Sequence, residues 1–84
     1  MTAEKVVTLF ENSEDDMLCI DCPYHEEWLK DFKEAVPYED RNPRQGYGWD
    51  KTDKIWIVPL DYAEVVEELV KKHFPDHRVQ WEYL

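Results

Sequence analysis

Apolar residues recur along this chain with two different periods, and the changes of period mark its elements. The run Lys-Val-Val-Thr-Leu-Phe from Lys5 to Phe10 is β-branched and aromatic, which predicts a strand. The polar stretch Glu11-Asn12-Ser13-Glu14-Asp15-Asp16 follows, then a second apolar run from Met17 to Cys22, so the pair reads as a hairpin with an acidic tip. From His25 to Val36 the period changes, and Trp28, Leu29, Phe32, Ala35 and Val36 fall at helical spacing. Glu26 and Glu27 in the first turn and Lys33 near the end suit the helix dipole, and Pro37 marks the exit.

Pro37 to Gly48 holds two prolines and both glycines and predicts a loop. Trp49-Asp50 and Lys54 to Pro59 predict two strands around the polar turn Lys51-Thr52-Asp53. A second helix follows, with Asp61 as the expected N-cap and Glu64 completing a capping box. Its apolar stripe is Tyr62, Val65, Val66, Leu69, Val70 and Phe74, and Pro75 ends it. Glu67 with Lys71 and Glu68 with Lys72 are expected to pair one turn apart. His77 to Leu84 alternates, with Val79, Trp81 and Tyr83 on one face, and predicts a last strand. The order is β-β-α-β-β-α-β. Two helices packed on one face of a small, mostly antiparallel sheet close the core, an α+β fold in a single domain over residues 1–84.

Composition narrows the function. Four Trp, five Tyr and three Phe supply the bulk for one small core. Ten Lys and Arg stand against twenty Asp and Glu, a net charge of −10, which argues against a surface that attracts nucleic acid or anionic lipid everywhere. Gly46 and Gly48 are the only glycines, so neither the phosphate-cradling G-x-x-x-x-G-K-[ST] loop nor a G-x-G-x-x-G turn can be written. Ser13 is the only serine and sits among acids, a poor setting for a nucleophile. The start Met-Thr-Ala-Glu-Lys lacks a signal peptide's basic and apolar regions, and no long apolar span follows. Two cysteines in that context are expected as thiols in a reducing compartment. These features predict a cytoplasmic protein with no membrane association, a monomer or a weak homodimer through an edge strand.

Tyr24, Phe32-Lys33, Val36-Pro37, Trp49-Asp50 and Lys54-Ile55-Trp56-Ile57-Val58-Pro59 ahead of the helix from Asp61 form an ordered set. Over Ile20 to Pro75 this set resembles the HARP-type domain, the accessory module found beside the motor of annealing helicases and related phage and bacterial helicases. That family shows a strand, a Tyr before a helix bearing Phe-Lys, a Pro-Gly-Arg-Arg-Trp loop, a Trp-Asp-x-x-x-Lys-x-Trp hairpin ending in Val-Pro, and a helix. In this chain the Arg-Arg loop is replaced by the longer Tyr38 to Gly48. The resemblance implies a module that helps a partner engine engage single-stranded or branched DNA, without catalysis or a cofactor of its own.

The residues themselves offer a matching surface. Arg41, Arg44, Lys51 and Lys54 against Asp50 and Asp53 give a local charge of +2, and Tyr47, Trp49 and Trp56 interleave with them. Cations neutralise phosphates while rings stack on unpaired bases; the alternative is that both indoles are cross-strand core partners and the charges solvate a loop. The rival surface is acidic. Residues 1–29 carry eight acids and one lysine, and Glu11, Glu14, Asp15, Asp16 and Asp21 could occupy the nucleic-acid groove of a binding protein or helicase met in trans, as DNA-mimicking inhibitors do. Cys19-Ile20-Asp21-Cys22 with His25, and His73 with His77, permit a zinc site on paper, but Cys19 and Cys22 point to opposite faces of a strand, so no metal is expected. His25 beside Glu26 and Glu27 could be drawn as an acid–base pair, yet sequence neighbours on a helix do not face each other, and binding is expected rather than catalysis.

Overall fold

The computed structural model describes residues 5–83. Strands β1 (Val6–Asn12) and β2 (Met17–Asp21) precede helix α1 (Glu26–Ala35); strands β3 (Gly48–Asp50) and β4 (Ile55–Pro59), helix α2 (Ala63–His73) and strand β5 (Arg78–Tyr83) follow. The five strands form one sheet in the order β3-β4-β2-β1-β5. Every pairing is antiparallel except that of β1 with β5. The α+β class matches the expectation, while the order differs from it by three added 3-10 turns, Tyr38–Arg41, Pro43–Gln45 and Leu60–Tyr62; Leu84 lies outside the described residues.

Alternation along the strands builds the inner face. Val7 and Leu9 on β1, Leu18 and Ile20 on β2, and Val58 on β4 are all 0–1% exposed. Each helix sets a spine at i, i+4 and i+8 against them: Trp28, Phe32 and Val36 from α1, Val66, Val70 and Phe74 from α2. The Trp28 and Phe32 rings stack with centroids 4.8 Å apart, and Phe32 meets Trp56 of β4 at 5.2 Å. Removing each such side chain from water contributes about 1.5–3 kcal/mol, which a chain of this size needs.

Two local expectations are corrected. Asp61 does not cap α2: it lies inside a 3-10 turn, Leu60–Tyr62, and α2 starts at Ala63 with no side-chain capping bond. The reason is that the 3-10 turn supplies backbone acceptors itself, the Ala63 N–H donating to the Leu60 carbonyl. Lys72 turns to α1, its ammonium 3.4 Å from Asp31, instead of pairing with Glu68, whereas Lys71 meets Glu67 at 3.4 Å as expected. His25 is the N-cap of α1, its Nδ1 accepting the Trp28 N–H at 3.1 Å.

The stretch expected as loop between α1 and β3 contains two 3-10 turns, Tyr38–Arg41 and Pro43–Gln45. Arg41 Nε donates to the Val36 carbonyl at 2.7 Å, and the Tyr62 hydroxyl donates to the Asp40 carboxylate, which holds the Tyr62 phenol above its ordinary pKa. The chain then crosses closely over β3. Gly48 has φ +101°, and a Cβ there would lie 2.5 Å from the Arg41 carbonyl oxygen, so only glycine fits. Both hairpin turns share one design. Asn12 Oδ1 accepts from the Asp15 N–H, Asp50 Oδ1 accepts from the Thr52 and Asp53 N–H groups, and each turn ends in a left-handed residue, Asp16 (φ 53°) and Lys54 (φ 55°).

α1 and α2 are also joined by His73, whose Nε2 lies 2.7 Å from Asp31 Oδ2. That bond first, and Lys72 after it, hold the Asp31 carboxyl below the usual carboxylate range against the opposing effect of desolvation. A depressed folded-state pKa stabilises the protein fully above the unfolded value of about 3.9 and loses that stabilisation as pH falls through the folded value. Asp31→Asn is therefore expected to melt below the unsubstituted protein at about pH 6 and to converge with it as the pH falls below the carboxylate range. Melting curves across that range check it; a gap that does not narrow in acid would remove the ionic contribution.

Candidate functional site

Trp49 and Trp56 are direct partners across the β3–β4 hairpin, with ring centroids 5.4 Å apart and planes at 57°. They share the inner side of the sheet, but not the same fate. Trp56 is half-buried against Phe32, whereas β3 is a three-residue edge strand with no neighbour beyond it among the described residues, which leaves Trp49 44% exposed. The short connection from β2 to α1 brings Tyr24, His25, Trp28 and Leu29 opposite these indoles, and Cys22 and Pro23 complete a cleft of about 420 Å³. On the other side of β3 a shallower hollow of about 490 Å³ is bordered by Pro43, Tyr47, Lys51 and Ile57. Trp49 borders both.

The chemistry of the cleft is flat, apolar and uncharged. Burial first, and the neighbouring Asp21 second, push the Cys22 thiol up to about 12, so it is a neutral wall at physiological pH. His25 Nδ1 is committed to the start of α1. Trp28 is 2% exposed, and its Nε1–H has no acceptor among the described residues. Tyr24 stands at the rim, 82% exposed. Such an arrangement can hold a planar ring between aromatic faces, with charge supplied from outside the cleft.

The structure divides the predicted cationic set. Arg44, in the loop leading into β3, and Lys51 and Lys54, in the turn leaving it, are exposed at opposite ends of the strand, with Trp49 between them. Arg41 is half-buried and spends its Nε on the Val36 carbonyl. Asp50, next to Trp49 in sequence, accepts two backbone N–H groups in the turn.

The predicted acidic set is divided as well. Glu14, Asp15 and Asp16 cluster in the β1–β2 turn with Glu11 close by, but Asp21 lies at the far end of β2. Cys22 lines the cleft while Cys19 faces the opposite side of the sheet, where burial first and then Asp50 and Asp53 raise its thiol pKa. The three histidines gather around Phe74. His25 lies 5.3 Å from both His73 and Phe74, and His77 lies 5.2 Å from Phe74. Among the described residues, no group of three or more His, Cys, Asp or Glu side chains is placed to hold a metal ion, and no helix is long and apolar enough to cross a membrane.

Reading the hairpin alone misses the second wall of the cleft. Tyr24, Trp28 and Leu29 lie twenty or more residues from Trp49 in sequence, and their signal is indirect: a connection too short to let α1 start far from the end of β2. Comparison of the chain with protein-family models, with curated proteins and with solved structures gave no match in any of the three.

Proposed function

We propose that the protein is a non-enzymatic accessory module that binds single-stranded or branched DNA in repair, replication or recombination, in trans with a helicase-type engine in the cytoplasm. One observation carries the reading: an indole, Trp49, standing exposed on an edge strand above a ring-lined cleft, with cations beyond both ends of that strand. Each base stacked on such a ring contributes about 1–3 kcal/mol without sequence preference. Arg44, Lys51 and Lys54 meet the phosphates that flank the stacked base, and the resemblance to the HARP-type module supports the same partner. The net charge of −10 over the whole chain means that the rest of the molecule repels phosphate, which confines contact to this strip.

Three phosphate contacts imply a shallow but definite salt dependence. Each contributes roughly 0.7 to the slope of log affinity against log salt for a single strand. Arg44→Ala with Lys51→Ala and Lys54→Ala is expected to lower that slope by about 2. Titrating a labelled oligothymidylate at several salt concentrations reads it directly. An unchanged slope would remove these cations from the interface.

A further inference from the structure

The face of the sheet turned away from the helices is apolar at its centre and acidic around it. Register places Phe10, Cys19 and Ile57 in one row across β1, β2 and β4, with Met17 one step along β2 and Val6 at the start of β1 on the same side. All five are half-buried, whereas Val7, Leu9, Leu18, Ile20 and Val58 on the inner face are buried, and none of the five belongs to the core or to the residues packed against it. Among the described residues neither helix packs there. The loop that crosses Gly48 walls the row on the β3 side and reaches Met17, where a Cβ on Gly46 would lie 3.7 Å from the Met17 Cε, so Phe10, Cys19 and Val6 are its part farthest from the loop. On the β5 side Arg78, Gln80 and Glu82 form a hydrogen-bonded ladder, Gln80 taking the Arg78 guanidinium at 3.0 Å and donating to Glu82.

Carboxylates outnumber cations around this row, although Arg44 in the crossing loop, Lys51 and Lys54 in the β3–β4 turn and Arg78 on β5 lie among them. Asp50 and Asp53 lie close enough to raise the Cys19 thiol, Asp21 ends β2, and Glu14, Asp15 and Asp16 occupy the turn at the other end of β1 and β2. We infer that this outer face docks a basic protein surface, one whose apolar side chains are ringed by lysine and arginine. Charge complementarity decides the class of occupant. A second copy of this chain brings the same carboxylates against one another on a body of charge −10, and a phosphate-bearing ligand is repelled likewise. The outer face and the Trp49 cleft lie on opposite sides of the sheet, so docking here leaves the cleft open. The inference does not depend on what the cleft binds.

The two cysteines report the two sides separately. The probe is a synthetic amphipathic peptide alternating lysine with isoleucine, and a control in which glutamate replaces lysine. The lysine peptide is expected to shift the amide signals of Phe10, Cys19 and Ile57 and to slow alkylation of Cys19 by at least about fivefold at saturation, with the Cys22 amide signal unmoved. Phe10→Ser is expected to weaken the peptide by about tenfold with the protein charge unchanged. The alkylation measurement needs no substitution, so it stands whether or not Phe10→Ser folds. Equal affinity for Phe10→Ser, shifts confined to the Asp15 turn, or amide shifts at Cys22 instead of Cys19 would each overturn the assignment. So would a concentration-dependent dimer, seen by sedimentation, that Phe10→Ser disperses.

Discussion

Phe32→Ala is expected to destabilise the protein by about 3–5 kcal/mol, measured as a lower urea midpoint at unchanged slope. Phe32 is fully buried and touches both layers: its ring stacks on Trp28 of its own helix and meets Trp56 of β4. Truncation loses the transfer energy of the ring and leaves a cavity between α1 and the sheet that two indoles cannot close by rotating. A chain of 84 residues has a total stability of about 4–13 kcal/mol, so this one change removes about a quarter of it or more and can unfold the protein at physiological temperature. Phe10→Ala is the internal control. Phe10 sits on the outer face without core contacts, and its loss is expected to cost less than about 1.5 kcal/mol. Equal losses at the two positions would mean that the two faces of the sheet are buried alike.

Trp49→Ala has the second largest expected effect, and it falls on binding rather than folding. The substitution gives up a cross-strand aromatic contact on an exposed edge, about 0.5–1.5 kcal/mol of stability. It removes the whole exposed ring over the cleft, so affinity for single-stranded DNA is expected to fall by about 5–150-fold, the equivalent of about 1–3 kcal/mol. Trp56→Ala is expected to show the reverse balance, because Trp56 is half-buried against Phe32 and supports the fold. Fluorescence anisotropy of a labelled oligonucleotide, beside a thermal melt of each variant, separates the two. If Trp49→Ala binds as well as the unsubstituted chain, stacking at this ring is not the source of affinity.

Patterns confined to a few residues were readable in the chain, and those that depend on what the elements meet were not. The spine of α1 follows from the spacing of Trp28, Phe32 and Val36, and the inner row of β5 from the alternation of Val79 and Trp81. The parallel pairing of β5 with β1 left no local trace, because two strands of one alternation can pair in either sense. Asp61 carries every local mark of an N-cap, yet the turn after Pro59 satisfies the backbone first. Lys72 had a partner one helical turn away, and the packing of α1 beside α2 offered a nearer one in Asp31. The candidate site divides in the same way. Trp49 and Trp56 are visible as a hairpin pair, but only the strand order shows that one is exposed and the other covered, and that the cations flank the strand instead of running along it.

Under the proposed function, Trp49 and the cleft beneath it are the place where an unpaired base is held. Titrating the isotope-labelled protein with an oligothymidylate at low salt tests this most directly, because the amide signals map contact residue by residue. Saturable shifts are predicted at Gly48 to Lys54 and at Tyr24 to Leu29, with Phe10 and Cys19 unmoved. Shifts that avoid both of those segments, or none at all at millimolar oligonucleotide, would contradict it.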